Sequence, residues 1–122
     1  MMSSKAESIN ELVQFSHGRS VDAGWWDDAT RANPYTVPCK LALIHSEVSE
    51  ALEGHRKGIN DDKLPHRPMV EVELADALHR IFDIAGFLGL DLGGAYVEKA
   101  EYNAARADHK PENRAKAGGK AY

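Results

Sequence analysis

Cysteine is almost absent from this 122-residue chain: Cys39 stands alone. That excludes an intramolecular disulfide and a cysteine-built zinc site, and it fits a reducing compartment. Long apolar runs are missing too. Leu41–Ile44 and Ile84–Leu90 fall well short of the roughly 20 residues that a membrane-spanning helix needs, so no membrane association is expected. The first residues (Ser3, Ser4, Lys5, Glu7) hold no apolar segment that would read as a secretory signal, and a cytoplasmic location is expected. A basic excess is lacking as well. Fifteen Lys and Arg face nineteen Asp and Glu, a net charge of −4, which argues against a nucleic-acid polymer as partner. No repeat is visible, and Val and Ile never alternate at period two over a useful length. No strand is predicted.

What remains is helical. Ile9, Leu12 and Val13 predict a first helix from Lys5 to about His17, with Gly18 as its stop. Residues 19–38, with Trp25, Trp26, Pro34 and Pro38, predict a structured loop or short helical turn. Leu41, Ile44, Val48, Ala51 and Leu52 form the stripe of a second helix, about Val37 to Glu53, ended by Gly54 or Gly58. A third runs from about Met69 to Leu88 on Val70, Leu74, Ala77, Leu78, Ile81, Ala85 and Leu88. Asp91 caps a fourth, from about Leu92 to Ala107. The expected fold class is all-α: one domain over 1–108 with four to five helices, then a flexible polar tail over 109–122.

The polar residues carry the chemistry. Glu47 and Glu50 are three apart on the second helix, and Glu53 continues their face; Glu73 and Asp76 are three apart on the third, with Asp83 seven further on. Like charges at this spacing repel, and an antiparallel pairing of the two helices sharpens the repulsion unless a cation lies between them. Carboxylate oxygens suit Mg²⁺, or Mn²⁺ as a substitute, better than Zn²⁺. Residues 1–98 carry 9 basic and 16 acidic side chains, net −7, whereas residues 99–122 carry 6 and 3, net +3. Within the basic end, Lys99, Asn103, Arg106 and Lys110 recur at helical spacing, a stripe suited to phosphate oxygens. The bland alternative is two solvated acidic faces and one solvated basic face. The six histidines (17, 45, 55, 66, 79 and 109) are scattered and read as surface or supporting groups, and Cys39 as structural. Neither a Ser/His/Asp nor a Cys/His nucleophile set is evident.

The run Glu47-x-x-Glu50, 22 intervening residues, then Glu73-x-x-Asp76 resembles the motif of MazG-like, all-α nucleoside triphosphate pyrophosphohydrolases. Lys99-x-x-x-Asn103-x-x-Arg106 is similar to that family's phosphate-binding helix. The stretches His45–Arg56 and Pro65–Asp76 resemble short single-domain members from phages and environmental bacteria, for which the location would be the host cytoplasm if phage-encoded. The resemblance covers about residues 37–110.

It implies a helical bundle assembling into homodimers or homotetramers. It also implies Mg²⁺-dependent cleavage of a (d)NTP between the α- and β-phosphates, giving a monophosphate and pyrophosphate and acting on nucleotide pools. Glu47, Glu50, Glu73 and Asp76 become metal ligands, with catalytic roles for Glu47 and Glu50; Lys99, Asn103 and Arg106 become triphosphate contacts. Ser46 stands where many relatives carry a first glutamate of a pair, which leaves the base as either Glu47 or a metal-held hydroxide. For the nucleobase, Trp25 and Trp26 are the candidates, one expected to stack on the base and the other to pack into the core or an interface. Two other classes compete. One is a non-catalytic helical interaction module; the other is a carboxylate-bridged di-iron bundle, for which only Asp76-x-x-His79 offers the needed pattern.

Overall fold

The computed structural model describes residues 4–106, 108 and 110–120. Among them lie six helices and no strand: α1 Ser4–Asp22, α2 Asp28–Ala32, α3 Thr36–Lys57, α4 Met69–Leu88, α5 Leu92–Ala105 and α6 Pro111–Arg114. The third predicted helix has the bounds of α4. By contrast α1 does not stop at Gly18. A glycine inside an exposed helix costs only about 1 kcal/mol, and residues beyond it are held by tertiary bonds, Ser20 Oγ donating to Asp83 Oδ2 at 2.9 Å. Between α1 and α3, the aromatic stretch contains α2, capped by the Asp27 side chain, which accepts from the Thr30 N–H at 2.8 Å.

The chain divides into two compact units, residues 11–90 and the two ends, 1–10 with 91–122. In the first unit α3 and α4 pack along much of their lengths. They run antiparallel, since Gly54 approaches Met69 while Glu47 reaches Arg80. Their connection is an ordered loop. Gly58 ends α3 at φ 62°, a left-handed conformation that favours glycine. The buried Asp61 carboxylate then accepts the N–H groups of Lys63 and Leu64, and Met69 N–H donates to the Ile59 carbonyl at 3.0 Å. This geometry fixes the register between α3 and α4, and so fixes which carboxylates meet.

The core of this unit is small: Val13, Trp26, Ala51, Ala77, Ile84 and Ala85. Trp26 is its largest member. Its ring stacks on Phe87 with centroids 4.2 Å apart and meets His17 edge-on at 5.5 Å. Leu41, Val48 and Leu52 on α3, and Leu74 and Leu78 on α4, are exposed although they belong to the predicted apolar stripes.

In the other unit, Asp91 caps α5 by accepting the Gly94 N–H, while Asn10 bridges the Asp91 carboxylate and the Gly93 N–H. A Cβ at Gly93 would overlap the Ala6 carbonyl, so only glycine allows this approach of α1 and α5. The stretch expected to be a flexible tail contains α6, with Pro111 at its first turn. Of that stretch, residues 109, 121 and 122 lie outside the described residues, as does Ala107 at the predicted end of the fourth helix.

Candidate metal centre

α3 and α4 bring Glu47, Glu73 and Asp76 together, with one carboxylate oxygen from each inside a 4.8 Å span. The cause is the i, i+3 spacing on α4 combined with the antiparallel register of the pair. Glu73 is 8% exposed, and its Oε2 is buried without a hydrogen-bond partner. A buried carboxylate oxygen with no donor is costly, because ionising it there loses hydration that nothing replaces.

The electrostatics follow from that crowding. Burial pushes the Glu73 carboxyl up to about 7, and hydrogen bonding to Glu47 and the charges of Glu50, Glu47 and Asp76 act in the same direction. Burial, and then the Glu47 charge, also raise Asp76. Glu47 goes the other way. Its burial opposes ionisation, but Arg80 Nε donates to its Oε1 at 2.8 Å and, with the Glu73 contact, holds it below the ordinary glutamate value. In the metal-free site the proton is therefore held by Glu73 in preference to Glu47, so that a protonated Glu73 can donate to an ionised Glu47. Three carboxylate oxygen donors, from residues of which one also carries a buried partnerless oxygen, fit a hard divalent cation.

The remaining predicted residues are placed as follows. Glu50 is exposed and outside the triad, yet near enough for its charge to act on Glu73. Glu53 pairs with Arg56 and Lys57 on its own helix. Asp83 does not join the acidic cluster. Its two oxygens accept from His17 Nδ1 at 2.8 Å, Ser20 Oγ at 2.9 Å and Trp26 Nε1 at 2.9 Å. Trp26 is thus a core residue with its indole N–H committed, while Trp25 is 65% exposed.

The stripe expected on the fourth helix does not continue to Lys110. α5 ends at Ala105, and Arg106 has extended backbone, φ −67° and ψ 139°. The Arg106 guanidinium forks onto Asp108, at 2.8 Å through Nε and 2.5 Å through Nη2, and Lys120 adds a second cation there. Arg106 and Lys120 hold Asp108 well below the usual carboxylate range. Lys99 and Asn103 do lie within α5, and the Lys99 Nζ sits 4.5 Å from the Tyr102 ring centroid. Lys99, Asn103 and Arg106 belong to a different unit of the chain from the carboxylates. His109 lies outside the described residues.

Comparison with family models, with curated proteins and with solved structures gives no match. No helix among the described residues is long and apolar enough to cross a membrane.

Arg80 escaped the sequence reading. It sits four residues after Asp76, one turn along the same face, but a basic residue there reads equally as a solvated neighbour. Only the α3–α4 register shows that it meets Glu47.

Proposed function

We propose that this protein is a divalent-metal-dependent nucleoside triphosphate pyrophosphohydrolase of the MazG-like type. The observation that carries the reading is the buried Glu73 carboxyl, with its partnerless oxygen, facing Glu47 and Asp76. These three residues would hold Mg²⁺, or Mn²⁺ in its place, with Glu50 reaching in from the solvent side. Such an ion, when bound, neutralises triphosphate charge and polarises the phosphoryl oxygens. The protein's own part is positional. Arg80 keeps Glu47 ionised and oriented, so that Glu47 can accept a hydrogen bond from a water and hold it in line with the α-phosphorus. The water oxygen bonds to that phosphorus as the bond to the bridging α,β-oxygen breaks. The electron pair departs with pyrophosphate, and the water proton passes to a carboxylate of the cluster. No covalent nucleophile is required.

The test is a product assay over the eight common (d)NTPs with Mg²⁺. Pyrophosphate and monophosphate are expected in equal amounts with no diphosphate intermediate. Stepwise release of orthophosphate would indicate a phosphatase and overturn the reading.

The resemblance also supports homodimeric or homotetrameric assembly. The exposed Leu41, Val48, Leu52, Leu74 and Leu78 give α3 and α4 an uncovered apolar face of the kind that an all-α pair buries against a partner layer. Light scattering at micromolar protein is expected to give a multiple of the 13.4 kDa chain mass. A monomer would refute the assembly.

A further inference from the structure

Among the described residues, Arg80 is the one basic side chain that forms an ion pair with a member of the carboxylate triad, through Nε on Glu47 Oε1 at 2.8 Å. We propose that Arg80 is a resident counter-cation that competes with a divalent ion for Glu47, so that the protein itself holds down the affinity of its metal site. The inference deepens the proposed function, resting on the metal site of that reading and not on its substrate.

Register and burial make the pairing close. Arg80 lies on α4, one turn after Asp76, and crosses to α3, where the Glu47 side chain is 13% exposed. The two helices bring one oxygen each of Glu47, Glu73 and Asp76 inside 4.8 Å, and a cation beside them offsets part of the repulsion. The cover is partial. Arg80 reaches Glu47, while Glu73 Oε2 stays buried without a donor. One guanidinium thus links α3 to α4 across the triad without satisfying all of it, and the orphaned oxygen still favours an ion.

The sign of the effect on metal binding follows from charge. Outer partners rich in electrons strengthen a metal ligand, as a carboxylate behind a histidine does. A guanidinium does the opposite, because it draws charge from the oxygen it grips and repels an ion bound to the same carboxylate. In a partly buried site the effective dielectric is about 20 rather than 80, so that repulsion is about four times stronger than in water. Arg80 also stabilises the metal-free state, which the ion has to replace. Orientation is the smaller effect, since burial and the Glu73 carboxyl also hold the Glu47 side chain.

Calorimetry with Mn²⁺ and the full-length protein at neutral pH tests this. Arg80→Gln, which keeps a donor but drops the charge, is expected to bind Mn²⁺ about tenfold more tightly than wild type, whereas Arg80→Lys, which keeps the charge, should stay within about twofold. Melts read the same difference through linkage. In EDTA Arg80→Gln should melt below wild type, and saturating Mn²⁺ should shrink or reverse the gap. A variant that is unfolded in EDTA and folded by Mn²⁺ meets this expectation. Arg80→Gln that binds Mn²⁺ no tighter than wild type, or a gap that widens with Mn²⁺, overturns the proposal, because a residue that only orients Glu47 gives that result. Wild-type protein that binds no Mn²⁺ removes the metal site and this inference together. Mn²⁺ binding in the expected pattern without hydrolysis of any (d)NTP removes the proposed reaction and leaves the role of Arg80 standing. Hydrolysis by wild type together with weaker Mn²⁺ binding by Arg80→Gln does the reverse.

Discussion

Replacing Glu73 by Gln is expected to abolish Mg²⁺-dependent hydrolysis while making the metal-free protein more stable. The substitution removes an anionic oxygen from the triad but keeps the shape and a donor toward Glu47. Loss of a group that merely orients a metal ligand costs about 10–100-fold, so loss of a ligand should exceed 100-fold in turnover. Asp76→Ala should match it in activity. Near-normal turnover in either variant would falsify the metal-site assignment.

The stability half of this expectation comes from proton linkage. The Glu73 carboxyl sits at about 7 in the folded protein against an ordinary value of 4.5. Below about pH 4.5 it is neutral in both states and carries no penalty. Between there and about pH 7 the unfolded chain has released the proton while the folded one retains it, so stability falls as pH rises. The loss amounts to roughly 3 kcal/mol, and the raised Asp76 acts in the same direction. Glu47 acts in the opposite sense: its lowered value costs stability only as the pH falls through the acid range. Melts in EDTA from pH 5 to 8 should therefore decline for wild type, and the part of the decline due to Glu73 should be lost in Glu73→Gln. Added Mg²⁺ favours the ionised carboxylates and should raise wild-type Tm most at the alkaline end. Parallel curves for the two proteins, with and without Mg²⁺, would remove the site from the account.

Much of this was legible in the sequence because it depends on local spacing. Glu73 and Asp76 had to share a face once α4 was a helix, and α4 was announced by an apolar stripe uninterrupted from Val70 to Leu88. That acidic residues of the two helices would meet required that these consecutive helices pack antiparallel, which the ordered connection over residues 58–68 allows. What was not legible depends on register and on tertiary competition. Glu50 stayed outside the triad although its spacing from Glu47 mirrors that of Asp76 from Glu73. The register turned Glu47 toward α4, and one residue in a pair faces the partner helix more squarely than the other. Arg106 was lost to Asp108 because a fork-shaped cation two residues from a carboxylate closes a local pair as soon as the helix ends. Asp83 looked like the next acid along a charged face, yet three donors from the segment before α3 claim it. No periodicity in α4 could show this, since two of those donors lie on another helix and one follows it.

That network sets the other large effect, in which Trp26→Ala should cost roughly 3–5 kcal/mol, as expected for emptying the space of a buried tryptophan. Native domains have only about 5–15 kcal/mol to lose, so the variant should be largely unfolded or close to it. Trp25→Ala, by contrast, removes an exposed ring and should stay within about 0.5 kcal/mol of wild type. Asp83 supplies the discriminating comparison. In Asp83→Ala the N–H of Trp26, the hydroxyl of Ser20 and the His17 ring all lose their acceptor, at about 1–3 kcal/mol for each group left unsatisfied. Asp83→Asn keeps one carbonyl oxygen at the position of Oδ1, where His17 and Trp26 both donate. Its amide then donates to the Ser20 Oγ, which can reverse its role from donor to acceptor. The Asn variant should therefore lose only about 1 kcal/mol. Urea melts of the four variants, compared at constant m-value, measure the differences. If Asp83→Ala and Asp83→Asn are equally stable, the aspartate is not the acceptor that holds the tryptophan, and stacking on Phe87 alone secures that part of the core.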